Sequence, residues 1–569
     1  MRNCFTVTSF LVATTLLVPA AQTSAAPGYG VAVADTMVRV RIDEPFAGEP
    51  PKAGALTVRP HAGSLPKPPV DVKRPQGAEL PREARLSAAP GESEGFQVVV
   101  TATDADLTDV AVSATPLKLT GGNASIAPEQ ISFRQVGFVK TTKPAYAVER
   151  IGWFADLLLN PTRFGVKKGD VQPVWVTVRV PAGTPPGLYT GTVTVKPRDA
   201  EATAVPVTLR VWGFEIPEKG SHLKTAFSWD EAGSAAIHGD ADWKAKGLKR
   251  KYMDCLLEHR MGVDQIYRGT PPSVEDVTYA VQNGAGNFNL FNVGWPAKFT
   301  DEQVRARLKQ IEAVWKRYEE AGVADKAYVY GFDEHYQEVA IPQIYGAIGK
   351  EFPKLKRAVS TGPRGKPADD FVDIWTMSLG TYFAAMQAGH IERLQPKGVQ
   401  FWLYLSTSAA PPRPNWWVES PLIESRSLFW LAYQVDADGC LYYFINHAIK
   451  RPSPIDEEAG PYTKWDPHSF PGHNGDGHLI YAGKNGPVPS VRMANIRDGI
   501  EDYEYLKALE RLLLKKGVVK NQAEARKHVK EQYVRYVGTN FWIHTHEAEL
   551  LRAMRDRVAE AVEKLNKTP

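Results

Sequence analysis

The sequence predicts a multidomain protein, with an N-terminal β-sandwich followed by a (β/α)8 TIM-type barrel and C-terminal helices. Three observations support this fold class. The chain of 569 residues is longer than one hydrophobic core accommodates. Short alternating strands with Pro/Gly turns fill the first part, up to about residue 218. A repeated order of strand and then helix follows from residue 222, which is typical of a barrel with a parallel sheet.

The N-terminus, residues 1–26, has the features of a signal peptide. Arg2 provides the positive start, residues 5–21 are mostly apolar, and residues 23–26 are small. The apolar run is short for a membrane span and is interrupted by Thr, Ser and Pro19. We therefore expect a secreted or periplasmic protein without a stable membrane anchor.

Residues 27–90 are rich in Pro and Gly and are expected to be an extended segment entering the sandwich. The β-sandwich domain is assigned to residues 91–218. Its clearest strand patterns alternate apolar and polar residues. They lie at 95–102, 173–181, 190–195 and 205–212.

The barrel domain is assigned to residues 222–512. Eight candidate strands are Lys224–Asp230, Val263–Gly269, Phe288–Gly294, Tyr328–Glu334, Lys356–Gly362, Val372–Leu379, Val399–Ser406 and Gly439–Asn446. Helical patterns between them are Ala241–His259, Asp301–Ala321, Ile341–Phe352, Met386–Leu394 and Pro421–Tyr433. The second and fifth crossovers carry only weak helical patterns.

A long polar loop, residues 447–490, follows the eighth strand, and a loop of this length is usually functional. A helix with an apolar face then begins at Ser490. Residues 513–569 form a C-terminal helical extension, with a second helical pattern over His546–Leu565.

Composition excludes some classes of function. The net charge is only +4 and basic residues form no block, so a nucleic acid partner is not expected. The 14 Trp and 22 Tyr residues suit stacking on sugar rings, although large cores also use them. Cys255 and Cys440 are expected to be buried free thiols rather than a disulfide.

The main candidate for catalysis is the adjacent acid pair Asp333-Glu334, directly after the apolar run Ala327–Phe332. Such a run predicts a buried strand, and barrel enzymes keep their chemistry at the C-terminal ends of the strands. Two neighbouring carboxyl groups can differ in pKa, so that one is an acid and the other an anion. A solvated acid pair on a loop is the alternative interpretation.

Aromatic and amide residues follow the other predicted strands, as a sugar site requires. The residues expected to bind substrate are Asn292, Trp375, Trp402, Tyr404, Trp430, Tyr442 and Asp476. Taken singly, each aromatic residue is more often a core residue.

Histidines at 473 and 478, and the pair His544 and His546, raise the question of a metal. Their spacing matches no strong zinc motif, and a polar loop is the favoured interpretation. No metal or cofactor is expected. Arg497 and Glu501 are four residues apart in an acid-rich helical pattern, which predicts ion pairing rather than catalysis.

Four segments carry a family resemblance. Tyr330–Glu334 looks like the catalytic Asp-Glu strand of family 123 glycoside hydrolases, and Asp438–Tyr443 resembles the eighth strand of that family. Ser490–Leu506 is similar to the helix that follows, and Pro185–Gly191 to the preceding sandwich domain. In one departure, His335 follows the acid pair where the family often has proline.

The resemblance implies release of terminal β-linked N-acetylgalactosamine, or a related 2-acetamido sugar, from a glycan or glycolipid. It also implies a retaining, substrate-assisted mechanism, in which the 2-acetamido oxygen of the substrate attacks the anomeric carbon. Glu334 would be the acid and then the base, and Asp333 would hold the acetamido N–H. Tyr404 would orient the acetamido carbonyl, and Trp375, Trp402 and Trp430 would form the pocket wall.

Two alternatives stay open. The first is a glycoside hydrolase for a sugar without an acetamido group, with Asp230 or Asp476 as the second carboxylate. The second is a non-catalytic carbohydrate-binding protein on the same scaffold.

Overall fold

A computed structural model describes residues 28–40, 65–69, 81–450 and 452–568. The predicted signal peptide, residues 1–26, lies outside the described residues, as does much of the segment 27–90. The described part has a mostly-strand N-terminal region and a second region built around a parallel sheet with helices.

The N-terminal region consists of two sheets. In spatial order, the first contains Tyr29–Asp35, Ser93–Ala102, Val171–Arg179, Ile131–Lys140 and Trp153–Leu159. The second contains Ala84–Ala88, Thr203–Val211, Gly187–Lys196, Leu107–Ala114 and Phe164–Val166, with Leu117–Leu119 and Ser125–Ile126 attached. Alternating inward residues of both sheets, such as Val98, Val176, Val193 and Leu209, form one buried core. Two strands within the segment 27–90 belong to these sheets.

All eight predicted barrel strands are present in one parallel sheet. They are Lys224–Ser228, Val263–Asp264, Phe288–Asn292, Ala327–Gly331, Lys356–Val359, Ile374–Ser378, Gln400–Leu405 and Gly439–Tyr442. The spatial order runs from the second strand through the first and eighth down to the third. Across the gap between second and third strands, Asp264 Oδ1 accepts a hydrogen bond from the Asn289 N–H at 2.9 Å. The barrel is therefore nearly closed.

Helices cover the outside of this sheet. They are Glu231–His238, Asp240–Ala245, Leu248–Glu258, Val274–Gln282, Asp301–Glu320, Ala340–Glu351, Leu379–Gln387, His390–Leu394 and Leu422–Gln434. The fifth crossover has only the 3₁₀ turn Pro367–Phe371, so the regular (β/α)8 pattern is not complete. The sixth crossover helix begins at Leu379, earlier than predicted, because Ser378 caps it by accepting a hydrogen bond from the Thr381 N–H.

After the eighth strand, the long loop forms two small hairpins. Their strands are His468–Phe470 with His473–Asn474, and Ile480–Gly483 with Gly486–Pro489. The helices Val491–Lys515, Gln522–Gln532 and Ala548–Lys567 follow, with a hairpin of Gly538–Asn540 and Ile543–His544 before the last one.

A buried ionic network joins the two regions. Arg426, on the helix Leu422–Gln434, binds Glu94 of the N-terminal region at 3.0 Å and Asp502 of the helix Val491–Lys515 at 2.8 Å. Arg555 of the last helix binds Asp502 at 2.8 Å. The prediction of ion pairing along Val491–Lys515 is confirmed.

Two smaller predictions can be checked in the described residues. Cys255 and Cys440 are both free and buried, as expected. Among the helices of the described ranges, none combines the length and the apolar character that crossing a membrane requires.

Candidate active site

The acid pair lies at the C-terminal end of the fourth barrel strand, Ala327–Gly331, as predicted. Phe332 and Glu334 have left-handed backbone conformations, with φ of 54° and 55°, which are costly for residues other than glycine. The Phe332 N–H donates to the Gly294 carbonyl at 3.1 Å, and the Glu334 N–H donates to the Ser360 carbonyl at 2.8 Å. These bonds attach the acid pair to the ends of both neighbouring strands.

Asp333 is half-buried and is held by two tyrosines. The Tyr330 hydroxyl donates to its Oδ1 at 2.6 Å, and the Tyr267 hydroxyl donates to its Oδ2 at 3.4 Å. Burial raises the pKa of Asp333, while the Tyr330 hydrogen bond opposes that rise. Both tyrosines keep their protons because burial and the nearby carboxylate raise their pKa values. Asp333 is thus oriented as an acceptor of hydrogen bonds.

Glu334 is exposed and has a different environment. Its Oε1 accepts a hydrogen bond from the Tyr404 hydroxyl at 2.8 Å. Burial, followed by the charge of Glu334, raises the pKa of Tyr404, so this phenol also stays protonated. The two adjacent carboxyl groups therefore differ in exposure and in the number of donors that hold them.

Two further residues beside the acid pair were not predicted as ligands. Trp295, just past the third strand, is 45% exposed, and its ring lies nearly parallel to the His335 imidazole at 6.4 Å between centroids. His335 also contacts the carbonyl of Asp333 through Nδ1. The signal in the sequence was a tryptophan directly after a strand-ending glycine, Gly294. Together these rings form an exposed aromatic surface next to Glu334.

Three predicted wall residues, all tryptophans, are buried. Trp375 is fully buried and stacks on Tyr336 at 6.5 Å. Trp402 is 1% exposed and lies in the barrel interior, edge-on to Tyr328. Trp430 is fully buried and donates to Asp502 at 3.0 Å, as part of the packing between helices. In this structure none of these three has an exposed ring face for a ligand.

The remaining predicted ligands have different positions. Asn292, partly buried, closes the turn after the third strand by accepting the Gly294 N–H at 2.7 Å. Tyr442 is buried, and its hydroxyl accepts the Gly477 N–H at 2.7 Å. Asp476 is also buried and accepts hydrogen bonds from Trp417 at 2.9 Å and from Tyr443.

The aromatic side chains above the barrel interior connect these positions. The ring of Tyr267 contacts Phe444 at 5.3 Å and Tyr330 at 6.3 Å. Tyr267, Tyr404 and Tyr443 are partly buried and pack together over the interior. The acid pair is therefore surrounded by phenol groups, and Asp476 lies behind one of them.

Among the described residues, one group of histidine and acidic side chains has the spacing of a metal site. It consists of Glu424, His544 and His546, and does not include the acid pair.

Replacing Tyr330 by phenylalanine is expected to move the acid limb of the kcat/KM profile to higher pH. The hydrogen bond from Tyr330 lowers the pKa of Asp333, so its loss raises that pKa, and less of the required anion is present in acid. Measuring kcat/KM against pH tests this expectation. Tyr328→Phe is the control, because Tyr328 donates to Asp264 instead, at 2.8 Å. An equal shift in both variants would contradict the assignment.

Two adjacent carboxyl groups in unlike environments, at the rim of a parallel-stranded barrel, define a hydrolase of the glycosidase class. Sequence profiles agree with this class. The profile described as glycoside hydrolase 123, catalytic domain, matches residues 282–509, and the glycoside hydrolase 123 N-terminal domain matches residues 73–197. The chain belongs to glycoside hydrolase family 123.

Solved structures give a consistent result for the fold. A family 123 glycoside hydrolase from Clostridium perfringens, solved to describe glycolipid glycan hydrolysis, aligns with a TM-score of 0.62 at 13% identity. The alignment covers 85% of this chain and 93% of that one. A GH5 xyloglucanase from Bacteroides ovatus aligns over 74% of this chain and 98% of its own, at 9% identity and a TM-score of only 0.23. A search of curated proteins gives no match.

Proposed function

We propose that this glycosidase removes terminal β-linked N-acetylgalactosamine, or a related 2-acetamido sugar, by a retaining, substrate-assisted mechanism. The observation that carries the proposal is the unequal treatment of the two acids. Asp333 is half-buried and held by two phenol donors, whereas Glu334 is exposed with one donor. One carboxylate is therefore fixed as an acceptor, and the other can exchange a proton with substrate and water.

In the first step, Glu334 protonates the glycosidic oxygen as the bond from that oxygen to the anomeric carbon breaks. The carbonyl oxygen of the substrate's 2-acetamido group attacks the same carbon and gives an oxazolinium ion. The Asp333 carboxylate accepts the acetamido N–H and stabilises the positive charge that develops there. The Tyr404 hydroxyl, next to Glu334, is a donor for the acetamido carbonyl.

In the second step, Glu334 takes a proton from a water molecule, and the resulting hydroxide attacks the anomeric carbon. The bond from the acetamido oxygen to that carbon breaks, and the acetamido group is restored. Two inversions at one carbon give net retention of configuration. The exposure of Glu334 leaves room for this water after the leaving group has departed.

The substrate class follows from the comparison as a proposal. The Clostridium perfringens enzyme with the same fold is described by its hydrolysis of glycolipid glycans. We propose a glycan or glycolipid of this kind for the present chain. The exposed Trp295 surface suits the apolar face of a sugar ring next to the cleaved bond.

The test is release of chromophore from three aryl glycosides: the β-N-acetylgalactosaminide, the β-N-acetylglucosaminide and the β-galactoside. Hydrolysis of one or both acetamido sugars, with no hydrolysis of the galactoside, supports the acetamido-assisted mechanism. Equal hydrolysis of the galactoside overturns it. Product analysis by NMR at early times distinguishes retention from inversion.

The alternative with a second carboxylate has less support. Asp476 is fully buried, and Trp417 and Tyr443 already donate to its two oxygens. The backbone of Asp230 is fixed by Asn446, which accepts its N–H at 3.0 Å and donates to its carbonyl at 2.8 Å. Hydrolysis of the galactoside would bring this alternative back.

Replacing Trp295 by alanine is expected to raise KM about tenfold, the equivalent of about 1.4 kcal/mol of lost contact, with little change in kcat. The ring is 45% exposed in the free protein and would be covered by substrate. Steady-state kinetics on the best aryl glycoside measure both constants. The control is Leu188→Ala, another exposed apolar residue, at 46% exposure in the N-terminal region. An unchanged KM for Trp295→Ala would exclude Trp295 from the substrate site.

We also propose export, which rests on the signal-like residues 1–26. Sequencing the N-terminus of the mature protein after expression in a bacterial host with a secretion pathway tests this proposal. An intact N-terminus on protein that stays in the cytoplasm would contradict it.

A further inference from the structure

Three side chains that bind metals well meet at a place outside the acid pair. Glu424 lies in the first turn of the helix Leu422–Gln434. His544 ends the strand Ile543–His544, and His546 follows two residues later, before the last helix. One ligand atom from each of the three residues lies within 4.8 Å of the other two.

The local backbone explains why the two histidines share a side. Residues two apart in an extended chain project from the same face. The hairpin holds this chain in place: Gly538 pairs with His544, and the Thr545 N–H donates to the Val537 carbonyl at 2.7 Å. Both imidazoles thus face the helix that carries Glu424, with 4.9 Å between the ring centroids.

The polar atoms at this place lack partners. Both ring nitrogens of His544 and Nδ1 of His546 are buried with no hydrogen bond among the described residues. An imidazole nitrogen buried in this way loses its hydration without compensation, at a cost of about 1–3 kcal/mol. The Glu424 carboxyl is also buried and accepts one hydrogen bond, from the Asn415 N–H at 2.9 Å. No cation of the described residues offsets its charge, and burial raises its pKa to about 8.

We propose that Glu424, His544 and His546 bind a divalent transition metal ion, Zn²⁺ by the chemistry of the ligands. Two imidazoles with one carboxylate form a zinc ligand set that leaves a fourth position for water. Tetrahedral zinc with ligands at about 2.1 Å places ligand atoms about 3.3 Å apart, so small side-chain rotations close the site. His546 is only partly buried, which gives the ion a route from solvent.

The proposed ion links the C-terminal segment to the barrel. Glu424 lies on a helix that covers the barrel, and both histidines lie just before the last helix. Asn415, whose N–H binds Glu424, also donates to the Ser406 carbonyl at 2.9 Å, directly after the strand that carries Tyr404. The role is structural, because none of these ligands touches the acid pair. Since metal binding stabilises the folded state, removal of the ion is expected to lower Tm.

The test uses the full chain, freed of metal with a chelator and then titrated with Zn²⁺ and with Co²⁺. Calorimetry is expected to give stoichiometric Zn²⁺ binding, and Co²⁺ to give the visible absorption of a four-coordinate site. Glu424→Gln and His546→Ala are each expected to weaken Zn²⁺ binding by at least about tenfold. His528→Ala, which removes a histidine of the neighbouring helix Gln522–Gln532, is the control and keeps the parent affinity.

Two results would overturn the proposal. One is the absence of stoichiometric binding of either ion by the parent protein. The other is equal affinity in the parent and in His546→Ala. Because His546 is partly exposed, this variant is expected to fold even where a change at the buried His544 is not tolerated. Zn²⁺ binding is measured without substrate, so the result is independent of the proposed glycosidase activity.

Discussion

Glu334→Gln is expected to lower kcat on an aryl N-acetylhexosaminide by about 10²–10⁴-fold, the usual effect of losing a positioned acid. The amide that replaces the carboxyl group cannot protonate the leaving oxygen or activate water. The fold is expected to remain intact because Glu334 is exposed and its backbone bonds do not involve the carboxyl group. The measurement is kcat, with circular dichroism to verify folding.

The leaving group gives this experiment a sharper readout. A dinitrophenyl glycoside needs little protonation, so Glu334→Gln should lose much less activity on it in the first step. Asp333→Asn should lose activity on both substrates, since the charge beside the acetamido group is needed in each case. Glu338→Gln, the same change at an exposed glutamate of the next turn, is the control. Parent-like turnover by Glu334→Gln would show that the acid is another residue.

Arg426→Met is expected to destabilise the protein by about 3–5 kcal/mol, because it leaves buried carboxylates without their cation. Arg426 is completely buried and binds Glu94 and Asp502, and lies 3.6 Å from Asp498. Guanidinium-induced unfolding, followed by tryptophan fluorescence, measures the change. The variant is expected to shift the unfolding of both regions, since Glu94 belongs to the N-terminal sheet.

The control for this change is Lys316→Met. Lys316 pairs with Glu320 at 3.8 Å on the surface of a helix, and exposed pairs contribute about 0–1 kcal/mol. A loss of stability in Arg426→Met no larger than in Lys316→Met would show that the buried network contributes little to folding.

The sequence predicted the positions of the barrel strands because buried parallel strands are short apolar runs, as in Ala327–Gly331. It did not predict the missing helix of the fifth crossover beyond noting a weak pattern. The acid pair was predictable because it directly follows such a run. Tyr404 was also placed correctly beside the pair, since it contacts Glu334.

Depth within the barrel could not be predicted in the same way. Trp402 and Tyr404 are two residues apart on one strand, so they share a face. Only the direction and tilt of the strand put Trp402 inside the barrel and Tyr404 near the mouth. The Glu424 cluster was also out of reach, because its third ligand is far in sequence from His544 and His546 and no spacing rule connects them.

The turn at the acid pair bears on how this chain differs from the family pattern. The His335 N–H donates to the Phe332 carbonyl at 3.2 Å and closes the turn that contains both acids. Proline, common at this point in the family, has no N–H and could not make that bond. In this chain the turn is closed by a hydrogen bond, which can open and re-form, instead of by a rigid pyrrolidine ring. His335 thereby combines two roles in one residue: its backbone sets the conformation of the acids, and its side chain extends the aromatic surface of Trp295.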